Sequence, residues 1–158
     1  MPPTASRTRK TKSRPTGSYA LVLRIPSRRK VQVGKLGLVE FLRGHYIYFG
    51  SALGGLKARV DRHLRQEKML HWHADYLSAE VPWEYAWQLA DGRRWECVWA
   101  ASAAGREGVG SPVPGFGSSD CRCVSHLVRV DNAKQVRALL SSLSPAPRRL
   151  RRKPDTVS

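Results

Sequence analysis

The sequence predicts an α+β domain in which short antiparallel strands come first and helices pack against them. Two observations support this class. The first third of the chain contains short runs rich in Val, Leu, Ile and Tyr that Gly and Pro interrupt, and later segments carry apolar residues at helical spacing. Strands grouped ahead of helices are typical of α+β proteins. A chain of 158 residues suits one such domain with a sizeable core.

Each predicted element follows from its local pattern. Residues 18–25 (SYALVLRI) are strand-like and end before Pro26, and residues 30–33 alternate and could pair with them as a hairpin. In the segment 56–64, apolar residues at i, i+4 and i+8 predict an amphipathic helix. The remaining predictions are strands at 39–42 and 45–49, a helix at 69–78, a strand at 83–89, a helix at 95–104, a strand at 126–130 and a helix at 132–143 with Asp131 as its N-cap.

The chain has 28 basic and 12 acidic residues, a formal charge of +16, and much of this charge lies at its ends. Residues 1–16 carry +5 and residues 145–158 carry +4. Both stretches are rich in Pro, Ser and Thr and poor in large apolar residues, so we predict disordered basic tails around a folded domain at 17–144. Such tails bind polyanions by counterion release with little sequence preference, which favours a nucleic-acid partner. The alternative is that they serve only to keep the protein soluble.

Several classes of protein do not fit this composition. No apolar run approaches the roughly 18 residues that span a bilayer, and the basic N-terminal stretch is not followed by the apolar region of a signal peptide. Three cysteines cannot all pair, which argues against a secreted disulfide scaffold. We therefore expect a cytoplasmic protein that does not bind membranes. The sequence identifies no protein partner.

The segment 46–65 (YIYFGSALGGLKARVDRHLR) places a Tyr-rich strand, a Gly-rich turn and a cationic helix in succession. Glycines allow backbone to approach a ligand closely, and a helix N-terminus attracts anions. Arg59 and His63 are four residues apart and share a helix face, whereas Arg62 points to another side. A guanidinium that holds oxygens beside an imidazole or phenol that moves a proton suits phosphate chemistry. Taken singly, each residue also fits an ordinary role, as a solvated Arg or a core Tyr.

These motifs resemble the GIY-YIG nuclease superfamily and, within it, the Uri-type branch of uncharacterised or predicted endonucleases. Gly17-Ser18-Tyr19 and Tyr48-Phe49-Gly50 are similar to the two name-giving elements, with Ser18 and Phe49 in place of isoleucines. The resemblance covers residues 17–130. It implies a small three-stranded antiparallel sheet flanked by helices. It also includes the stretches GKLG (34–37), HWHADYL (71–77), EC (96–97) and GFGSSDCRCVSHL (115–127).

The same resemblance implies a metal-dependent endonuclease that hydrolyses phosphodiester bonds in DNA, with Mg²⁺ or Mn²⁺ held by Glu96. Arg59 would stabilise the transition state, a tyrosine would position or deprotonate the water, and His63 would assist proton transfer or hold the tyrosine. The candidate catalytic residues are Tyr19, Tyr48, Arg59 and His63. The candidate substrate-binding residues are Gly50, Ser51, Lys57, Arg62, His71 and His73. A non-catalytic nucleic-acid-binding module with the same fold is the alternative function, and a protein-interaction or ribosome-associated factor is a more distant one.

A second motif, Cys121-x-Cys123-x-x-His126, resembles half of a zinc site. Its cysteine spacing is shorter than that of the usual CxxC knuckle, and no second CxxC completes four ligands. Adding His71 or His73 would complete a site only if the fold brought one of them close. We therefore expect these residues to pack or to contact substrate, and do not expect structural zinc.

Overall fold

The computed structural model describes residues 14–66 and 68–150. These residues form an α+β fold with two antiparallel sheets and four helices. The strands are β1 (Gly17–Ile25), β2 (Arg29–Gln32), β3 (Leu38–Phe41), β4 (Gly44–Ala52), β5 (Tyr85–Leu89), β6 (Leu127–Val130) and β7 (Arg148–Arg149). The helices are α1 (Leu56–Leu64), α2 (His73–Glu80), α3 (Glu96–Ala104) and α4 (Ala133–Ser142). None of these described helices has the length and apolar content needed to cross a membrane.

The prediction of a three-stranded sheet is wrong, because the main sheet has five strands in the order β6-β4-β1-β5-β7. Strand β1 lies at its centre between β4 and β5, and β6 and β7 extend the sheet at either side. The two added strands satisfy backbone groups that would otherwise face outward from β4 and β5. The predicted pairing of residues 30–33 with the first strand is also wrong. Strand β2 instead pairs with β3 in a separate sheet, with Val31 opposite Val39.

The main sheet is covered by helices on both faces, because side chains along β1 alternate between two apolar cores. Tyr19 and Leu21 belong to the core beneath α1 and α2, whereas Ala20 and Val22 belong to the core beneath α3 and α4. Residues two apart along a strand share a face, so the sequence of β1 supplies both cores at once. Tyr19 therefore points toward α1, and this orientation positions the site described below.

Residues at the inner ends of the two predicted tails, among them Pro15 and Leu150, lie against the domain. The carbonyl of Pro15 accepts the N–H of Leu56 (2.9 Å), ahead of the first helix. At the other end, the N–H of Leu150 donates to the carbonyl of Ala86 (2.9 Å), next to the pairing of β7 with β5. The remainder of the two predicted tails lies outside the described residues.

Helix α4 is capped by Asn132, and the prediction of Asp131 as its N-cap is wrong. The Asn132 side chain accepts the N–H of Gln135 (2.9 Å), and the Gln135 side chain accepts the N–H of Asn132 (3.1 Å). These reciprocal bonds form a capping box and satisfy two donors at the helix start. The Asp131 carboxylate instead pairs with Arg129 at the surface (3.0 Å).

Replacing the cap should therefore destabilise the protein more than replacing its neighbour. We expect Asn132→Ala to lower the free energy of unfolding by about 1 kcal/mol, since it leaves helix-terminal donors without partners. Asp131→Ala, the matched control, removes a surface ion pair and should change it by less than about 0.5 kcal/mol. Urea denaturation followed by circular dichroism measures both, and equal losses would contradict the assignment of the cap.

Candidate active site

The centre of the site is a buried hydrogen bond between Tyr19 Oη and His63 Nε2 (2.9 Å). Tyr19 comes from the beginning of β1 and His63 from the last turn of α1, and their relative exposures are only 2% and 1%. Gly50 lies opposite Tyr19 on β4, and a Cβ there would overlap the Tyr19 phenol. A glycine at this position is therefore needed for the pair to form. The fold brings these three sequence-predicted residues together.

Burial keeps both members of the pair neutral at physiological pH. It raises the pKa of Tyr19 to about 12, and the opposing influence of the nearby Arg59 is not sufficient to reverse this. Burial also lowers the pKa of His63 to about 3, although the neighbouring Asp75 carboxylate acts to raise it. The pair therefore holds one transferable proton between two uncharged groups, and neither carries a charge that would need a counterion inside the protein.

Asp75 and Arg62 form the support behind the pair. The Asp75 carboxylate is fully buried and accepts two hydrogen bonds from the Arg62 guanidinium (2.9 and 3.0 Å). It also accepts the N–H groups of His71 and Trp72 (2.9 Å each) at the start of α2. Burial alone would raise the pKa of Asp75, but these bonds outweigh it and lower the pKa. Its Oδ1 lies 3.9 Å from His63 Nδ1, so a negative charge faces the imidazole from the side away from Tyr19.

Tyr48 is held in an aromatic cluster next to the pair. Its ring centroid lies 6.1 Å from those of His63 and Trp83 and 5.9 Å from that of Phe116. Burial raises the pKa of Tyr48 well above its ordinary value. Gly117 packs against this ring, and a Cβ at Gly117 would overlap it. Tyr48 therefore contributes packing and one face of the cleft, and it remains protonated.

Glu96 begins helix α3, and the half-buried Ser51 and the buried Ser18 hold it at the cleft. The Ser51 hydroxyl donates to Glu96 Oε1. The Ser18 hydroxyl lies 3.0 Å from that of Ser51, donates to the carbonyl of Arg93 (2.9 Å) and accepts the N–H of Trp95 (2.6 Å). These bonds tie the first residues of β1 and the end of β4 to the start of α3. The position of Glu96 is therefore set by the central sheet.

Arg59 closes the cleft from the side of α1. Its Nη1 donates to the carbonyl of Ser51 (3.2 Å), and its guanidinium lies 4.6 Å from the centre of the Trp72 ring. These two contacts limit its rotation and leave other N–H groups available for a ligand. The cleft has a volume of about 330 Å³. It is lined by Tyr19, Tyr48, Gly50, Ser51, Arg59, Trp72, Arg94, Glu96, Cys97, Gly117, Asp120, Cys121 and His126.

Four of the predicted substrate-binding residues are not among the residues that line this cleft. Lys57 forms an exposed ion pair with Asp61 (2.6 Å), and Arg62 is engaged by the buried Asp75. His73 Nδ1 accepts the N–H of Gly117 (2.8 Å), and His71 is exposed beside Trp72. The two histidines line an adjoining groove that also touches Tyr48 and Trp72. Gly50 and Ser51 do line the cleft.

The expectation of Mg²⁺ or Mn²⁺ without structural zinc is wrong. Among the described residues, metal-binding side chains come together as three thiols and one imidazole, those of Cys97, Cys121, Cys123 and His126. All four donor atoms lie within 4.8 Å of one another. Sulfur and imidazole donors select zinc, whereas magnesium and manganese prefer oxygen ligands. The cysteine missed in the sequence is Cys97, which lies 24 positions before the next member of the set.

Comparison with known proteins gives one match to a protein family. Residues 18–147 match the family described as Domain of unknown function DUF123. The chain belongs to this family. The DUF123 match covers all of the site residues above, from Ser18 on β1 to His126 before β6. Searches against curated proteins and against solved structures found no match.

Two residues with clear roles in this DUF123 site were not predicted. In the sequence, Ser18 is only a departure from an apolar motif position, yet in the structure it is fully buried and hydrogen-bonded to the start of α3. Trp72 lies in the HWHADYL stretch, and the guanidinium groups of Arg59 and Arg62 lie 4.6 and 4.5 Å from its ring centre. A polar residue at a strand position that is otherwise apolar is the signal that could have identified Ser18.

The buried His63 should make stability depend on pH. The pKa of His63 is about 3 in the folded protein, below the ordinary 6.5, so the unfolded chain binds more protons than the folded protein between these pH values. The free energy of unfolding therefore decreases as the pH falls through this range. We expect His63→Gln to lose less unfolding free energy than the parent on acidification from about pH 7 to about pH 4, by up to about 1.4 kcal/mol per pH unit.

Urea denaturation at several pH values measures this difference. The charged and titratable groups that face the imidazole are unchanged in the variant, so they contribute equally to both curves. These groups are Tyr19, Arg59, Arg62, Lys68 and Asp75. His71→Gln, at an exposed histidine on the same side of the domain, controls for the loss of any histidine. Parallel curves for the parent and His63→Gln would show that His63 is not held neutral.

Proposed function

We propose that this protein is a GIY-YIG-type endonuclease that hydrolyses phosphodiester bonds in DNA. The observation that carries the proposal is the buried Tyr19–His63 pair, of which Tyr19 lines the same cleft as Arg59 and Glu96. The resemblance of residues 17–130 to that superfamily and the net charge of +16 support a nucleic-acid substrate. The three free cysteines fit a reducing cytoplasm as the place of action.

The proposed proton path runs from water through Tyr19 to His63. The water oxygen forms a bond to phosphorus while the bond between phosphorus and the leaving oxygen breaks. The water proton passes to Tyr19 Oη as the Tyr19 proton passes to His63 Nε2, and the leaving oxygen takes a proton from solvent. The low pKa of His63 keeps Nε2 free to accept at neutral pH. Asp75, 3.9 Å from Nδ1, stabilises the imidazolium that forms.

Arg59 supplies positive charge for the transition state. Hydrolysis places an additional negative charge on the phosphoryl oxygens, and a guanidinium offers several N–H groups in a planar arrangement that fits them. The contacts of Arg59 with Trp72 and with the Ser51 carbonyl hold it in place before substrate arrives. Such preorganised donors stabilise a transition state without a further loss of side-chain freedom.

Glu96 favours an enzyme over a protein that only binds nucleic acid. A carboxylate in a phosphate-binding cleft repels the ligand, so a simple binding module would be better without it. One oxygen of Glu96 accepts the Ser51 hydroxyl, and the side chain lines the cleft. We propose that its carboxylate acts in the reaction and does not contribute to affinity.

Substitution of Arg59 and Glu96 should separate cleavage from binding. We expect Arg59→Ala to lower the cleavage rate at saturating DNA by on the order of 10²–10³-fold, the usual effect of losing one such donor. We expect Glu96→Gln, which can still accept the Ser51 hydroxyl, to abolish cleavage while binding DNA at least as tightly as the parent. Cleavage of labelled single- and double-stranded DNA and RNA in physiological salt with divalent cations present, together with fluorescence anisotropy, measures both effects.

Two exposed residues provide matched controls. Arg65→Ala removes an equal charge at the exposed end of α1, and Glu84→Gln removes an equal charge ahead of β5. Both should retain cleavage close to that of the parent. Binding by the parent without cleavage would favour the alternative of a nucleic-acid-binding module. Cleavage that survives in both Arg59→Ala and Glu96→Gln would exclude this site as the source of the activity.

A further inference from the structure

A second cluster of reactive side chains forms part of the cleft wall and takes no part in the proposed hydrolysis. Cys97 lies in the first turn of α3, and Cys121, Cys123 and His126 come from the connection between α3 and β6. His126 is 95% buried, Cys97 and Cys123 are half-buried, and all three cysteines are free. Cys97 and three residues at least 24 positions later in the sequence thus place their donor atoms in one small volume.

The distances within the cluster match those around a tetrahedral zinc ion. His126 Nε2 lies 3.6 Å from Cys97 Sγ and 3.4 Å from Cys121 Sγ. Zinc bonds of about 2.3 Å to sulfur and about 2.0–2.1 Å to nitrogen, at tetrahedral angles, require about 3.5 Å between a sulfur and a nitrogen ligand. All four donor atoms lie within 4.8 Å of one another, so one ion could reach every one of them.

We propose that Cys97, Cys121, Cys123 and His126 bind one Zn²⁺ ion in a structural site. Three thiolates and an imidazole form a complete tetrahedral set, which leaves no position for a catalytic water. Soft thiolate donors with imidazole select zinc over the oxygen-preferring divalent cations. This proposal rests on the four side chains alone and does not depend on the proposed nuclease activity.

The ion would hold a long connection that has little other regular structure. Residues 105–126 link α3 to β6 and contain neither helix nor strand, apart from an isolated bridge between Gly110 and Arg129. Connections of this length are uncommon in compact domains unless something organises them. A zinc ion bound to both Cys97 and His126 would fasten the connection to the start of α3 and to the edge of the main sheet. Because Glu96 precedes Cys97, the same ion would stabilise that wall of the cleft.

Zinc content and cobalt substitution test the site directly. The full chain, produced without a metal-affinity tag and purified without chelators, should contain about one zinc per chain by mass spectrometry of the metal. After zinc removal, added Co²⁺ should give the visible bands of a tetrahedral ion and the near-ultraviolet bands of thiolate ligands. Cys97→Ser and Cys123→Ser should each lower the zinc content at least about fivefold.

Val124→Ser is the matched control, because Val124 is exposed between two proposed ligands and should not affect metal content. If a cysteine variant fails to fold, the zinc content and cobalt spectrum of the parent decide the question on their own. The proposal is overturned by less than about 0.2 zinc per chain with no cobalt spectrum. It is also overturned if both cysteine variants retain zinc, if Val124→Ser loses it equally, or if Cys121 and Cys123 are joined by a disulfide.

Discussion

The site is organised by the hydrogen bond between Tyr19 and His63, because this contact connects the central strand to the first helix inside the protein. The bond satisfies the buried Tyr19 hydroxyl and His63 Nε2, while His63 Nδ1 has no hydrogen-bond partner and faces the Asp75 carboxylate at 3.9 Å. The bond also constrains the surrounding sequence. Gly50 must lack a side chain to admit the phenol, and Asp75 must be neutralised by Arg62 to lie behind the imidazole. The proton chemistry that we propose uses the contact that joins these elements.

The two walls of the cleft are held by different kinds of interaction. On the side of α1, Arg59 is held by the face of Trp72 and by a backbone carbonyl. On the side of α3, Glu96 is held by Ser51, and Ser18 binds the backbone of Arg93 and Trp95 just ahead of the helix. Both walls meet at the start of the central strand β1 and the end of its neighbour β4. Groups that must act together are thus attached to paired strands and not to loops alone.

Local pattern and motif resemblance predicted most elements, but not how all of them pair. Side-chain alternation indicated β1, and helical spacing indicated α1, because these signals lie within a few residues. The two outer strands of the main sheet could not be predicted as partners, since pairing depends on contacts far apart in the chain. The same reason explains the missed zinc cluster, in which Cys97 joins ligands from Cys121 to His126. The family resemblance implied that His63 either assists proton transfer or holds a tyrosine, and the structure identifies Tyr19, 44 positions away, as the tyrosine that it holds.

The central claim is that Tyr19 and His63 act as one unit, and a double-mutant cycle tests it most directly. If the proton passes from Tyr19 to His63, then Tyr19→Phe and His63→Gln each interrupt the same path. Each single variant should lose about 10²–10⁴-fold in the rate at saturating DNA, and the double variant should be no slower than the slower single one. Losses that multiply in the double variant, or a single variant that keeps the parental rate, would contradict the account.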